Sequence, residues 1–375
     1  MTQPPPARFA VVGNPENRRV ALFADAVRAA GLPAPRVVSW TAVLRDGGAV
    51  FAADEVVRLD SPGENAEVDR LLRDVDDPTR VEGGARWYAR FTAAVGALRG
   101  GVRLDDPAEL AVLFDKRRCH RVLLDAGVPV PESPTSGAGT PVRGWDDVRA
   151  LMAAHGMRRV FVKPAHGSSA SGIVALETGA PGRVRATTSV EAVDGRLHNS
   201  LRVRRVTDER EVAALVDALA PDGLHIERWW PKASPGGGRR ADLRIVVVDG
   251  RATHAVVRTS HAPMTNLHLG GARGDLAAAI QTMGSRWADA LDTCERAAAC
   301  FPGTLCVGVD LLPSTGWRRF AVAEVNAFGD LLPGLTGLPG SGAEGLDTYA
   351  AQVAAVLRRR SPHTAPPLRN HRATA

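Results

Sequence analysis

The 375-residue sequence predicts a parallel α/β unit over roughly 1–113, followed by two α+β segments. Three observations carry this. Near the N-terminus, apolar strand-like runs alternate with amphipathic helical stretches, the pattern of a parallel sheet with crossover helices. Further along, alternating runs meet at Asp-Gly turns, the pattern of antiparallel hairpins. A Gly-rich linker at 234–238 then separates the second segment from the third.

Residues 8–13 read as a buried strand ending in a Gly turn. The stretch 17–30 is Ala-rich and amphipathic, and Gly31 ends it as a helix. Strands are expected at 36–40 and 55–60, the second stopped by Ser61-Pro62-Gly63, before 64–75 returns to the helical period. Gly13-Asn14-Pro15 follows the first strand but lacks the spacing of a dinucleotide fingerprint. The stretch 79–99, with Trp87-Tyr88, has no assignment.

The second segment opens at Asp115 with a helix over 115–126, stopped by Gly127 and the Pro129/Pro131 pair. A strand at 158–164 runs into a small-residue loop. A hairpin over 183–206 turns at Asp194-Gly195, and a helix at 208–219 leads into a strand at 224–230. The third segment has strands at 242–248 and 252–260 around Asp249-Gly250, a long helix at 285–300, and strands at 305–312 and 319–326. Residues 361–375 are Pro/Arg-rich and are expected to be disordered.

A chain with 45% hydrophobic and 23% charged residues can build ordinary globular cores. No apolar run approaches the ~20 residues of a membrane span, and the polar N-terminus has no apolar signal core. A cytoplasmic protein with no membrane partner is expected. Cys119, Cys294, Cys300 and Cys306 form no Cys-x-x-Cys pair, which argues against zinc and a disulfide framework. The net charge of +6 owes much to 358–360 and the tail. No basic run is interleaved with aromatics, which argues against nucleic acid as a partner.

Only three of the 47 basic residues are lysines: Lys116, Lys163 and Lys232. Lysine is a slim point charge and arginine a planar fork, so a site built for one ammonium against a phosphate oxygen does not readily take arginine. The alternative is a solvated surface residue. Lys163 ends a strand, and the loop after it includes Gly167, Ser168, Ser169 and Gly172. Such a loop lets backbone N–H groups approach phosphate oxygens; a plain surface turn is the other reading. Toward the C-terminus, Glu324 and Asn326 share one strand face, and Asp310 sits on a neighbouring strand. Two carboxylates and an amide oxygen suit Mg²⁺; a strand-end polar cluster with Arg318 and Arg319 is the alternative. Asp242-Leu243-Arg244 and Arg258 lie on adjacent strands, followed by Asn266-Leu267-His268-Leu269-Gly270-Gly271. Arginines so placed can hold phosphate or carboxylate with two bonds.

The ordered set Asp115-Lys116, Lys163-Pro164, the Gly/Ser loop, Glu227-Arg228-Trp229-Trp230, Asp242-Leu243-Arg244, Asn266-x-His268-x-Gly-Gly, Asp310 and Glu324-x-Asn326 resembles the ATP-grasp ligases. The nearest likeness is to the glutathione-synthetase-like branch, including the ribosomal-protein glutamate ligases. The resemblance covers roughly 115–335 and implies a Rossmann-like N-terminal domain (1–113) before a two-part ATP-grasp fold (114–230 and 231–360). It implies that Lys116 and Lys163 touch ATP phosphates and that 227–230 is the hinge strand pairing with adenine. Glu227 would lie near the adenine amino group, Trp229 and Trp230 beside the base or in the core, and Lys232 near ribose. Arg244, Arg258, Asn266 and His268 would serve phosphate and the activated carboxylate. Asp310, Glu324 and Asn326 would hold one or two Mg²⁺, with Mn²⁺ as a substitute.

The implied reaction joins a small-molecule or peptide carboxylate to an amine through an acyl phosphate, with ATP converted to ADP and phosphate. The alternatives are a small-molecule kinase and an ATP-binding regulatory protein without turnover. A homodimer is left open. The run Ala327-Phe328-Gly329-Asp330-Leu331-Leu332-Pro333-Gly334 departs from the family pattern, and the hairpin 183–206 looks additional. His166 and the 61–63 loop are further candidates to line an acidic donor's site.

Overall fold

The computed structural model describes residues 6–167, 171–179, 183–329 and 332–360. The tail 361–375, expected to be disordered, lies outside them, as do Ser168 and Ser169.

The first sheet has the order β2-β1-β3-β4 and is parallel throughout, with β1 (Arg8–Gly13), β2 (Arg36–Ser39), β3 (Ala49–Leu59) and β4 (Leu98–Arg103). Both faces of β1 are covered: Ala10 and Val12 enter one core, Phe9 and Val11 another. That two-sided burial is why the strand reads as a continuous apolar run. The crossover helices are α1 (Arg18–Ala29), α2 (Trp40–Asp46), α3 (Ala66–Arg73) and α4 (Gly84–Ala97). α1 starts where the Asn17 side chain accepts from the Arg19 amide.

Two sequence expectations need correction here, and one unassigned stretch gains an element. β3 begins at Ala49 rather than 55. β2 ends at Ser39, because the Ser39 hydroxyl accepts from the Ala42 amide and starts α2. The unassigned stretch 79–99 holds α4, whose first amides at Gly83 and Ala85 donate to the Asp222 carboxylate of the central segment. Trp87 stacks on Phe91, and Tyr88 stacks on His166 with ring centroids 4.1 Å apart.

α5 (Pro107–Leu113) and α6 (Lys116–Asp125) lead to the central segment, which adds α7 (Trp145–Ala154) and α8 (Glu209–Leu219). Its antiparallel sheet runs β8-β7-β6-β5-β9, from β5 (Arg159–Pro164), β6 (Val174–Thr178), β7 (Val184–Val193), β8 (Arg196–Val206) and β9 (Leu224–Arg228). The hairpin expected over 183–206 is β7 and β8, the outer half of this sheet.

The third sheet is antiparallel and runs β12-β11-β10-β13-β14. Its strands are β10 (Arg240–Val248), β11 (Arg251–Ser260), β12 (Ala272–Arg273), β13 (Cys306–Pro313) and β14 (Phe320–Ala327). α9 (Leu276–Met283) and α10 (Arg286–Ala299) follow β12, and α11 (Thr348–Arg360) ends the described chain. No helix among the described residues is long and apolar enough to cross a membrane.

The cores show how these parts are joined. One apolar cluster runs from the first sheet through α6 into the third sheet, and a second joins α1 to α11. The central segment has a core of its own, to which the first segment adds Val81. The first and third sheets are therefore one packed body, with the central sheet as a separately cored leaf beside it.

Candidate functional site

A cavity of about 780 Å³ lies where the three segments meet, and each contributes to its wall. From the central leaf come Phe161 and Lys163, two residues apart on β5 and so on one face of the strand. Lys163 is buried, and its Nζ lies 2.5 Å from Glu227 on β9. Burial alone would raise the Glu227 carboxyl, but Lys163 and the adjacent His225 hold it at about 2. His225 is pushed down to about 4 by its own burial, against the pull of Glu227. The second Glu227 oxygen, Oε2, is buried and makes no hydrogen bond, with His225 Nε2 3.6 Å away. A buried acceptor left open is costly unless something donates to it.

Lys116 enters from the first turn of α6. Asp115 caps that helix by accepting from the amides of Arg117 and Arg118, and the Lys116 amide donates to the Ala165 carbonyl. These bonds fix the lysine over the cavity, where its Nζ lies 2.7 Å from Glu324 Oε1 and donates to the Gly167 carbonyl. α6 and β14 pack against each other, so this ion pair ties two adjacent parts of the cavity wall.

The third sheet supplies a ladder of charged side chains. Register places Asp242 opposite Arg258, Arg244 opposite Asp310, and Asp310 opposite Glu324 across adjacent strands. Asn326 lies two residues beyond Glu324 on the same face and also lines the cavity. Arg258 Nε lies 2.8 Å from Asp242 Oδ1 and its Nη2 2.9 Å from Asp310 Oδ1, while Arg244 Nη2 lies 3.1 Å from Asp310 Oδ2. Burial would raise the Asp310 carboxyl, but Arg244 and Arg258 hold it well below the ordinary range.

Asp310, Glu324 and Asn326 offer two carboxylates and an amide oxygen on paired strands. Among the described residues, no three His, Cys, Asp or Glu side chains are grouped to hold a metal. The donor set fits a hard cation that takes few protein ligands and completes its shell with water and phosphate, as Mg²⁺ does.

Other expected site residues fall into place less evenly. Gly167 and Asn266 line the cavity. His268 lies on the short turn Leu267–Leu269. The Asn266 carbonyl accepts from the Gly271 amide, and a Cβ on Gly271 would meet that oxygen at 2.6 Å, so the turn requires glycine there. Gly172 has φ +72° and packs against Pro164 and Val81, which makes its part structural.

The Arg228 side chain points out to Glu132, 2.8 Å away, so only its backbone could serve a hinge. Trp229 is buried against Phe161, with the Arg159 guanidinium over its ring; it belongs to the apolar core behind the cavity wall. Trp230 is half-buried, and its indole N–H has no partner. Lys232 lines the cavity, but its ammonium is engaged by Asp242, Thr265 and the Pro263 carbonyl. His166 stacks on Tyr88 and bonds to the Phe114 carbonyl, supporting the site from outside. Ser61 and Gly63 do line the cavity.

Sequence reasoning gave no role to Phe161, Ile173, Met264 and Leu312, which are among the apolar residues of the lining. For Phe161 the signal was present, since it is two residues before Lys163 on the same strand. Asp242 was visible in its motif but carried no role of its own.

Comparison with solved structures identifies the architecture. The chain is similar to D-cycloserine synthetase DcsG (17% identity, TM-score 0.55), covering 94% of this chain and 99% of that one. It is also similar to the ATP-grasp ligase PsnB complexed with minimal precursor (17% identity, TM-score 0.52), covering 95% and 99%. The macrocyclase MdnC bound with precursor peptide MdnA from Microcystis aeruginosa MRC gives 13% identity and a TM-score of 0.50, covering 94% and 100%. No protein-family profile and no curated protein matches the sequence. The protein has the ATP-grasp fold, with a Rossmann-like parallel sheet before two antiparallel ones.

Proposed function

We propose that this protein is an ATP-dependent ligase that joins a carboxylate to an amine through an acyl phosphate. The observation that carries the reading is the convergence of Lys116, Lys163, Arg244 and Arg258 with Asp310 and Glu324 on one cavity. These four and Lys232 line the cavity together with the carboxylates of Glu227, Asp242, Asp310 and Glu324. Such a set can exchange partners when a polyanion enters.

In the proposed reaction, a substrate carboxylate oxygen attacks the γ-phosphorus and ADP leaves. The amine nitrogen then attacks the acyl carbon, phosphate leaves, and the nitrogen loses a proton. Lys116 and Lys163 would turn from Glu324 and Glu227 to phosphate oxygens. Arg258 and Arg244 would hold the charge that grows on the transferred group. Phe161, Ile173, Met264 and Leu312 provide an apolar slot for the adenine, and the open Oε2 of Glu227 is an acceptor for its amino group. Asp310, Glu324 and Asn326 would hold Mg²⁺, which when bound offsets the repulsion between nucleotide and carboxylate. Closing the central leaf over the site would keep water from the acyl phosphate. The precursor bound to PsnB and the precursor peptide bound to MdnC support a peptide as the class to test first.

The test is phosphate and ADP release on incubation with ATP, Mg²⁺ and pooled amino acids and peptides, with products read by mass spectrometry. Release should depend on both an added substrate and Mg²⁺, and EDTA should abolish it. Absence of any nucleotide binding by calorimetry with Mg²⁺ present refutes the reading.

A further inference from the structure

Lys232 is the third of the rare lysines, and its surroundings differ from those of the other two. Its side chain is 8% exposed. An ammonium has three N–H donors, and three acceptors surround this one: Thr265 Oγ1 at 2.8 Å, the Pro263 carbonyl at 3.2 Å and Asp242 Oδ2 at 3.3 Å. Every donor is spent inside the protein. A ribose hydroxyl could be bound only by breaking one of these bonds.

The effect falls on Asp242. Its Oδ2 takes Lys232 and the Thr265 hydroxyl, which leaves Oδ1 for Arg258. Arg258 therefore gives Asp242 a single bond, from Nε at 2.8 Å. Its Nη2 reaches the other way, to Asp310 Oδ1 at 2.9 Å. Arginine and carboxylate ordinarily prefer to pair fork to fork, with two parallel bonds. Occupation of Oδ2 prevents that pairing here.

We propose that Lys232 is a positioning residue. By holding Asp242 Oδ2, it divides Arg258 between Asp242 and Asp310 and keeps the outer guanidinium nitrogens directed to the phosphate end of the cavity. The inference rests on the ligase reading above, since it assumes that the triphosphate occupies this cavity. Without Lys232, Asp242 Oδ2 keeps only the Thr265 hydroxyl, accepts a second bond from Arg258, and draws it off the position where a terminal phosphate would sit.

The experiment compares nucleotide binding by the full-length protein and its variants by calorimetry in Mg²⁺, using ADP, 2′-deoxy-ADP and the non-hydrolysable triphosphate AMPPNP. Lys232→Met should weaken AMPPNP about tenfold or more, the worth of one charge-assisted hydrogen bond. ADP should stay within about twofold, because no predicted ADP contact is lost. The preference for ADP over 2′-deoxy-ADP should match that of the wild type. Thr265→Val should shift AMPPNP in the same direction by less, and Thr265→Ser should restore it; this pair decides the matter if Lys232→Met does not fold. Equal weakening of ADP and AMPPNP, loss of discrimination at the ribose, or no change at all overturns the assignment. A wild-type protein that binds neither nucleotide overturns the ligase reading itself, whereas normal wild-type binding with unaltered variants overturns only the role of Lys232.

Discussion

Lys163 shows how much a single residue carries at this site. Its ammonium sits between the Phe161 ring, 5.7 Å from Nζ, and Glu227, whose first oxygen it meets at 2.5 Å. Lys163→Met would leave the buried Glu227 carboxylate with only His225 beside it, at a cost of about 3–5 kcal/mol. That variant tests folding more than function. Lys163→Arg keeps the charge and so keeps Glu227 neutralised, but places a planar fork in a slot shaped by a linear stem. ATP turnover should fall by about 100-fold or more, a loss near 2.7 kcal/mol in the transition state, with the far-ultraviolet dichroism unchanged. Near-normal turnover in this variant removes the main argument drawn from lysine scarcity. The lysines themselves were legible because the composition made them rare. Their partners were not: Glu324 is 208 positions from Lys116, and neither motif names the other.

Among the elements, those that followed from local chemistry were legible and those that borrow a cap or partner from elsewhere were not. β10, β11, β13 and β14 read as apolar strands with turn residues between them. α4 did not read as a helix, because Gly83 before it offers no side chain and Asp222, far along the chain, caps it instead. β4 was hidden by Gly100-Gly101, which local propensity assigns to a turn. The loop between β5 and β6 was read as a phosphate cradle, yet its last glycine answers to packing. Gly172 has φ +72°, and a Cβ there would lie 2.4 Å from Pro164 Cγ and 2.9 Å from Val81 Cγ1. Gly172→Ala combines a left-handed backbone with overpacking and should destabilise the fold by about 2–4 kcal/mol. Urea unfolding reads this directly, and a midpoint equal to that of the wild type contradicts the structural role.

At the scale of the whole molecule, the seam between the first sheet and the third segment sets a dependence on pH. Leu305 donates to the Leu104 carbonyl, and the next residue, Asp105, accepts from the Leu59 amide at 3.0 Å. Arg58 lies buried beside it, its guanidinium over the rings of Phe23 and Tyr349 and its Nε bonded to Gln352 of α11. Burial raises the Asp105 carboxyl to about 6; the Leu59 amide and Arg58 pull it down, while Asp60 and Glu109 push it up. In the unfolded chain the same group titrates at about 3.9. Between these values the folded protein holds a proton that the unfolded chain has released, so stability declines as pH rises through the window. The decline from this group is on the order of 3 kcal/mol and ends near pH 6, above which both states are ionised. Asp105→Asn removes the titration and keeps an acceptor for Leu59. Its stability relative to the wild type should therefore improve between about pH 4 and 6 and stay level above that range. Urea unfolding of both proteins across the interval measures the difference, and parallel curves would show that Asp105 is already ionised in the folded state. Because this seam belongs to the body shared by the first and third sheets, the same titration should leave the core of the central leaf untouched. Hydrogen exchange at pH 5 and 7 should then change more for β1, β3 and α11 than for β5 and β9.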